Sequence, residues 1–455
     1  MDWLIKIRPP ATNARADDNQ APAPRLKRLA ARTPAAEPQA LPRFLMTAAD
    51  QADPQSSDES AETRSRLSAA YTPSRPVSDW RMFAGRTGVL STLIRSIEHH
   101  RMHAVIFGER GIGKTSLMHV LAHAAREARY LIVYISCGAS SNFDDVFRAV
   151  VAGVPLLFHR DFGPASAEAE RGDTFADLLA PGPVSVHAAG DLLGRISGTR
   201  LIVMLDEFDR SESSEFKRNI AELLKNLSDR SVRAQVVIGG VAANLTELIE
   251  HIPSIQRNVL ALQVPRMTDE EVRSFIGNGE AFSGIRFSEA AVELVVTAAG
   301  GMPYLASLLC HHAGLVAIDG GKPAVAAEEV AAAMEVALQE LKGRISRRSQ
   351  LESAILMGRP MRLLVRLSDA LGASTSSFTE DDIHAAFPRA QDLMRCRELV
   401  EGLAEEGILL TREEDEWGTN YRFVEHSAVA YLRLLYARAL ALPNRRLAQS
   451  KALED

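Results

Sequence analysis

Cysteine is scarce in this chain and aromatic residues make up only 6% of it. The three cysteines, Cys137, Cys310 and Cys396, are odd in number and far apart, with no C-x-x-C pair. That excludes a disulfide framework and a cysteine-based zinc site, and it makes a reducing cytoplasm the expected location. Neither sign of charge dominates: 52 Lys and Arg stand against 58 Asp and Glu, a net charge of -6. Nucleic-acid binding through overall charge is thereby excluded and would need a local basic patch. The start, Met1 to Lys6, runs into Arg8-Pro9-Pro10 and offers no apolar stretch of signal-peptide length. The longest run without a charged residue, Leu294 to Ile318, spans 25 residues but is cut by Gly300-Gly301-Met302-Pro303 and carries His311-His312. It predicts two soluble helices joined at a glycine turn and no membrane span.

What is present, in 455 residues that are 46% hydrophobic and 24% charged, is globular composition for two to four domains. Residues 1–79 hold 10 of the 21 prolines and 11 basic against 10 acidic residues without apolar periodicity, which predicts a disordered arm. Beyond it, apolar runs at 103–107, 130–136, 201–205, 234–238 and 259–264 alternate with helical or loop material, the pattern of a parallel sheet covered by helices. The stretch 156–195, rich in Gly, Pro and Ala, reads as an insertion. After about Arg266 the strands stop. Thr268 to Glu271 is a capping box, Ser288 caps a second helix, Pro303 opens a third, and 324–341 makes a fourth. From Arg359 three helices and a hairpin, with strands at 408–412 and 421–424, suggest a winged helix on which a closing helix, 427–441, packs. The expected architecture is an α/β P-loop NTPase core (80–265), an all-α lid (266–345), a winged-helix domain (346–442) and a tail (443–455).

The chemistry begins at Gly108-Glu109-Arg110-Gly111-Ile112-Gly113-Lys114-Thr115, a full G-x-x-x-x-G-K-[ST] between a strand and a helix, with Ser116 starting that helix. Its backbone N–H groups can surround phosphate oxygens, aided by the helix dipole. Lys114 is placed to reach the β- and γ-phosphates and Thr115 to put its hydroxyl on Mg²⁺. The apolar strand 201–205 ends in Asp206-Glu207: Asp206 is the metal-side carboxylate, and Glu207 is placed to orient or deprotonate the attacking water. Asn244, after the strand 234–238, is a candidate sensor of the γ-phosphate, although such residues also serve as caps. Arg257, just ahead of the strand 259–264, is either an ordinary surface arginine or an arginine finger offered to a neighbouring copy. His119 and His123 are four apart, but no third ligand accompanies them.

Phe83-Ala84-Gly85-Arg86, the Asp206-Glu207 pair, Ser254 to Arg257 and Gly301-Met302-Pro303 together resemble the AAA+ relatives that include STAND signalling ATPases and origin-recognition-type initiators, over residues 80–435. The resemblance implies a sheet domain, helical lid and winged helix in that order. It implies that Arg86 and Pro303 border the adenine and that ATP drives oligomer assembly. The Gly-x-Pro lid is similar to STAND proteins and departs from initiators, which carry a sensor arginine there.

Two functions follow. The first is a molecular switch that binds Mg²⁺ and ATP, hydrolyses it slowly, self-associates and docks a protein partner. The second is a DNA-binding initiator or transposition-type ATPase. The charge of helix 390–406, with Arg395 and Arg397 against Asp392, Glu398, Glu401, Glu405 and Glu406, and of the acidic wing 411–417 favours the first.

Overall fold

The computed structural model describes residues 59–73, 82–163, 166–242, 248, 257–372, 377–415, 418–425 and 427–441. Asn244, the terminal tail and most of the proline-rich arm lie outside them.

Five parallel strands form the central sheet: β1 (His103–Phe107), β2 (Leu131–Ser136), β3 (Leu201–Asp206), β4 (Ala234–Gly240) and β5 (Val259–Gln263). Their order is β2-β3-β4-β1-β5. Every residue of β1, β3 and β4 is buried, as a sheet covered on both faces requires. Alternation along β3 feeds two cores. Val203 and Leu205 pack with Phe143, Phe147, Phe208 and Phe216, while Ile202 and Met204 pack with Leu93, Ile106 and Leu117. The stretch read as an insertion belongs to the first of these cores, to which it contributes the fully buried Phe175 together with Leu193. Because all strands run the same way, their C-terminal ends share one edge of the sheet, where ligands of open α/β sheets bind.

The lid consists of helices Asp269–Ser283, Glu289–Ala299, Pro303–Asp319 and Ala327–Lys342. Gly300 and Gly301, both at positive φ, separate the two helices of the long uncharged run, as expected. Among the described residues no helix is long and apolar enough to cross a membrane. The fourth lid helix starts later than expected, because Ala324–Val325 pair in parallel with Arg286–Phe287.

The reading of residues 1–79 as a disordered arm is corrected at its C-terminal part. Glu59–Ala70 is a helix, and Leu67, Ala70 and Tyr71 are buried against the lid. Only these few apolar positions carry the packing, and Glu62, Arg64 and Arg66 surround them, so no sustained period marks the helix.

Helices Arg359–Leu371, Glu380–Ala386 and Ala390–Glu406 and a three-stranded antiparallel sheet make the winged-helix arrangement. In that sheet Gly418–Phe423 lies between Ser377–Thr379 and Leu410–Asp415. The strand Ser377–Thr379 was missed by pattern reading because three residues hold no period. The closing helix, Ala428–Ala441, packs on lid helices Glu289–Ala299 and Ala327–Lys342 as well as on Arg359–Leu371. Lid and winged helix therefore share one continuous hydrophobic core, running from Leu67 to Ala437.

Candidate functional site

A cavity of about 540 Å³ opens where the C-terminal ends of β1, β3 and β4 face the lid. Arg110, Gly111, Gly113, Lys114, Thr115 and Ser116 line it from the loop after β1. Asp206 and Glu207 line it from the end of β3, and Pro303 from the lid. Gly108, Glu109 and Ile112 complete the same loop without lining the cavity. The loop turns through Gly111 (φ 80°) and Gly113 (φ 92°), conformations that a side chain would strain. A side chain at either place would also press on Tyr304 or Arg86.

Helix Lys114–Glu127 begins at the cavity, so its N-terminal N–H groups and its dipole face it. Lys114 Nζ donates to the carbonyls of Gly108 (2.9 Å) and Glu109 (2.7 Å). Burial lowers its pKa to about 8, against the opposing pull of Asp209, Asp206 and Glu109. A buried ammonium at a helix N-terminus and satisfied only by carbonyls is a receptor for an anion.

Asp206 is buried, and both of its oxygens are held. Tyr134 Oη donates to Oδ2 (2.5 Å) and the Glu207 amide to Oδ1 (2.8 Å). Burial and this carboxylate push the Tyr134 phenol upward, which keeps it a donor. An oriented carboxylate and the Thr115 hydroxyl, lining one cavity, are oxygen donors of the kind Mg²⁺ takes together with phosphate oxygens, so the residues present fit that ion.

Glu207 sits at φ 54°, a left-handed turn that swings its side chain away from the direction of Asp206. Its Oε2 accepts from Arg210 Nη1 (2.7 Å) and Ser136 Oγ (3.0 Å). Partial burial pulls this carboxyl up, yet the Arg210 and Ser136 hydrogen bonds outweigh it and hold the pKa below the usual glutamate value. Asp209, two residues on, accepts from the Val241 amide (2.8 Å) and so ties the end of β4 to the end of β3.

Arg86 does not line the cavity. It lies behind the phosphate loop, where Nη1 donates to the Ile112 carbonyl (2.5 Å) and its amide to Glu271 Oε1 (2.5 Å). Burial lowers its pKa to about 10 against the pull of Glu271. Glu271 also closes the capping box on Thr268, so one carboxylate both starts the lid helix and fastens it to the core. Gly85, at φ 69°, is the residue over which that carboxylate passes. Arg257 is exposed at the start of β5, the edge of the sheet opposite the phosphate loop, and does not join the cavity.

Pattern reading missed Tyr134, Ser136, Asp209 and Arg210. The first two were discoverable only from register, since β2 pairs Ser136 with Asp206. It also missed Arg266 and Arg433. Arg266 Nη2 lies 3.4 Å from Glu109 Oε2, and its Nη1 lies 3.9 Å from Asp369 Oδ1. Arg433, from the closing helix, pairs with the same Asp369. Burial and the neighbouring Arg266 lower the pKa of Arg433 to about 9. A chain of charges thus runs from the phosphate loop through the start of the lid to the winged helix.

A sequence model of the family described as Novel STAND NTPase 1 matches residues 75–415. A search of curated proteins gives no match. Among solved structures, Cdc6p from Pyrobaculum aerophilum is similar at 16% identity over 82% of this chain and 98% of its own, with a TM-score of 0.44. The Aeropyrum pernix Orc1 protein, solved in complex with DNA, matches at 15% identity over 84% and 97%, with a TM-score of 0.43. The Thermotoga maritima RuvB Holliday junction branch migration motor matches at 16% over 78% and 96%, with a TM-score of 0.39.

Proposed function

The chain belongs to the Novel STAND NTPase 1 family, and we propose that it is an ATP-dependent molecular switch that hydrolyses ATP slowly, self-associates and docks a protein partner. The observation that carries this reading is the buried Lys114 ammonium, held on the Gly108 and Glu109 carbonyls beside the oriented Asp206 carboxylate. ATP enters with its phosphates in the loop 108–115, where Lys114 exchanges carbonyl partners for phosphate oxygens. Asp206 and Thr115 would hold Mg²⁺, which would supply positive charge to offset that of the phosphates. Glu207 accepts the proton of the attacking water. Its Oε2 is occupied by Arg210 and Ser136, so it takes that proton on Oε1 or after Arg210 lets go, and either restriction slows turnover. Pro303 packs beside the nucleotide from the lid. Asn244 senses the γ-phosphate, and Arg257, exposed and remote from its own site, acts on the site of a neighbouring copy. The cytoplasm is the compartment in which we place it.

The winged helix is assigned to protein docking because its helix 390–406 and wing are acidic and three of their cations are engaged with carboxylates. Arg397 pairs with Glu380, Arg412 with Glu414 (2.5 Å) and Arg422 with Glu413 (3.9 Å). A second reading, binding of duplex DNA, is favoured by one feature, the row Arg359, Arg362 and Arg366 along a separate cleft. Asp392 lies 3.5 Å and 3.9 Å from the first and last of these.

The deciding experiment is calorimetry with Mg²⁺ and ATP on the parental protein and Lys114→Ala, followed by mass measurement with and without ATP. Equal nucleotide affinity in the two proteins removes the ATPase reading, and an ATP-independent mass removes assembly. Parental binding to labelled duplex that weakens steeply with salt and is lost in Arg362→Glu would favour the DNA reading instead.

A further inference from the structure

Helix Arg347–Ile355, between the last lid helix and the winged-helix arrangement, is built inside out. Its buried residues are Ser349, Glu352 and Ser353. The serines fit there because they bond within the helix, Ser353 Oγ donating to the Ser349 carbonyl at 2.6 Å. Leu351 and Ile355 face solvent instead, 61% and 82% exposed, although a surface helix ordinarily turns its apolar stripe to the core. Arg347 and Arg348, exposed one and two turns ahead of them, share that face. Neither arginine has a carboxylate partner among the described residues.

Helix Ala390–Glu406 carries the counterpart. Met394 is 62% exposed, and with Leu351 and Ile355 it makes up the three most exposed large apolar side chains among the described residues. Glu398, Glu401 and Glu405 follow it at helical spacing on one exposed face, and no cation among the described residues pairs with them. Like charges one turn apart repel, and these lie toward the negative end of their helix, as Arg347 and Arg348 lie at the positive end of theirs. Each face is therefore unfavourable by itself and is relieved by the other. The spacing agrees as well: Arg348 stands as far ahead of Ile355 as Glu401 stands behind Met394, two turns or about 10 Å in each helix. Laid antiparallel, the two helices bring arginine to glutamate and Ile355 to Met394 in one register.

We propose that two copies of this chain pair through these faces, helix Arg347–Ile355 of one lying antiparallel to helix Ala390–Glu406 of the other, in a reciprocal contact made twice. The two faces belong to neighbouring helices, since Asp392, in the first turn of the second, lies 3.5 Å from Arg359, just past the end of the first. A surface that holds both halves of a complementary pair is what an isologous two-fold contact requires. This rests on the self-association reading above and names the surface that makes it. Leu351, Ile355 and Met394 then form the buried centre of the contact, and the charges form its rim.

The test is mass measurement of the full chain across a concentration series, with and without Mg²⁺ and ATP. The double variants Arg347→Glu with Arg348→Glu, and Glu401→Lys with Glu405→Lys, should each raise the dissociation constant of the dimer by about tenfold or more. An equimolar mixture of the two should return to within about threefold of the parent, because the mixed dimer sets a reversed face on a reversed face and a parental face on a parental one. Ile355→Ser, which leaves the charge untouched, should weaken the dimer by about threefold or more. None of these residues lines the cavity, so each variant should bind ATP as the parent does, which also reports a folded core. Variants that associate as the parent does overturn the proposal. A mixture that stays as weak as its components overturns it too, since the two faces then do not meet each other across copies. A parent that is monomeric at every concentration refutes the self-association reading itself, a result distinct from both.

Discussion

Nucleotide affinity should fall as pH rises through 8, and Lys114 is the reason. In the empty site burial holds this ammonium at a pKa of about 8. A bound triphosphate supplies negative charge at contact distance and restores the cationic form. Only the protonated protein is competent to bind, so the apparent dissociation constant rises as the inverse of that fraction. With a pKa of about 8 the fraction is about 0.9 at pH 7, about 0.5 at pH 8 and about 0.1 at pH 9, which predicts a loss of about tenfold between pH 7 and pH 9. Binding at pH 8 should accordingly take up about half a proton. Calorimetry in buffers of different ionisation enthalpy measures that uptake directly, and a titration series across the same range measures the affinity. In Lys114→Met the binding should be weak and its pH dependence absent over this interval. Flat affinity from pH 7 to 9 in the parent, or an unchanged slope in the variant, would refute the assignment of the depressed ammonium to phosphate binding.

Glu207→Gln keeps the size of the side chain and its hydrogen bond from Arg210 but removes the base, so turnover should drop by roughly 10² to 10⁴-fold while ATP still binds; steady-state phosphate release at the parental rate would move the role to another residue. His103 is buried, its Nδ1 accepts from the Val236 amide (2.9 Å), and burial lowers its pKa to about 4 against the opposing hydrogen bond with the Leu224 backbone. The unfolded chain therefore takes up a proton near pH 6.5 that the folded chain refuses until about pH 4. Stability is full above pH 6.5 and declines by about 3 kcal/mol on acidification through that window. Denaturant unfolding at pH 7 and pH 5 should show the decline, and His103→Asn should lessen it. Tyr71→Phe should lower stability by about 1 kcal/mol through the lost hydrogen bond to the Ile276 carbonyl, and an unchanged unfolding midpoint would argue against docking of residues 59–71 on the lid in solution.

The core of this fold was legible because parallel strands buried on both faces must be continuous apolar runs, and 103–107 and 201–205 are bounded by a phosphate-loop glycine and by a carboxylate pair. Local chemistry was legible for the same reason: the capping box at Thr268 and Glu271, the loop 108–115 and the glycine turn at 300–301 each sit within a few residues of sequence. What escaped was set by distant partners. The helix Glu59–Ala70 has too little apolar surface to declare itself and is ordered by glycines some two hundred residues away. Ser136 and Tyr134 became part of the site only through the register of β2 against β3. Arg433 came to lie against Gly300 of the lid only because the closing helix crosses to the lid rather than staying on the winged helix.

That last departure changes how the molecule can respond to a ligand. Three separate modules would let the winged helix swing on a linker while the lid closed over the nucleotide. A single hydrophobic core shared by the helix Glu59–Ala70, the lid, the closing helix and the winged helix resists such a swing, because separating them would expose Leu434, Ala298 and Leu338, all essentially buried. The seam of lower cost lies instead between this block and the sheet, where polar pairs stand beside the small apolar contacts of Tyr304 with Gly111 and Pro303 with Gly113. Arg86 bonds to Glu271 on one side of the phosphate loop, and Arg266 meets Glu109 on the other. Both pairs flank the loop that receives the phosphates, and charge added there acts on both. Under the proposed function, a nucleotide bound in the loop acts at this joint, and the winged helix moves with the lid.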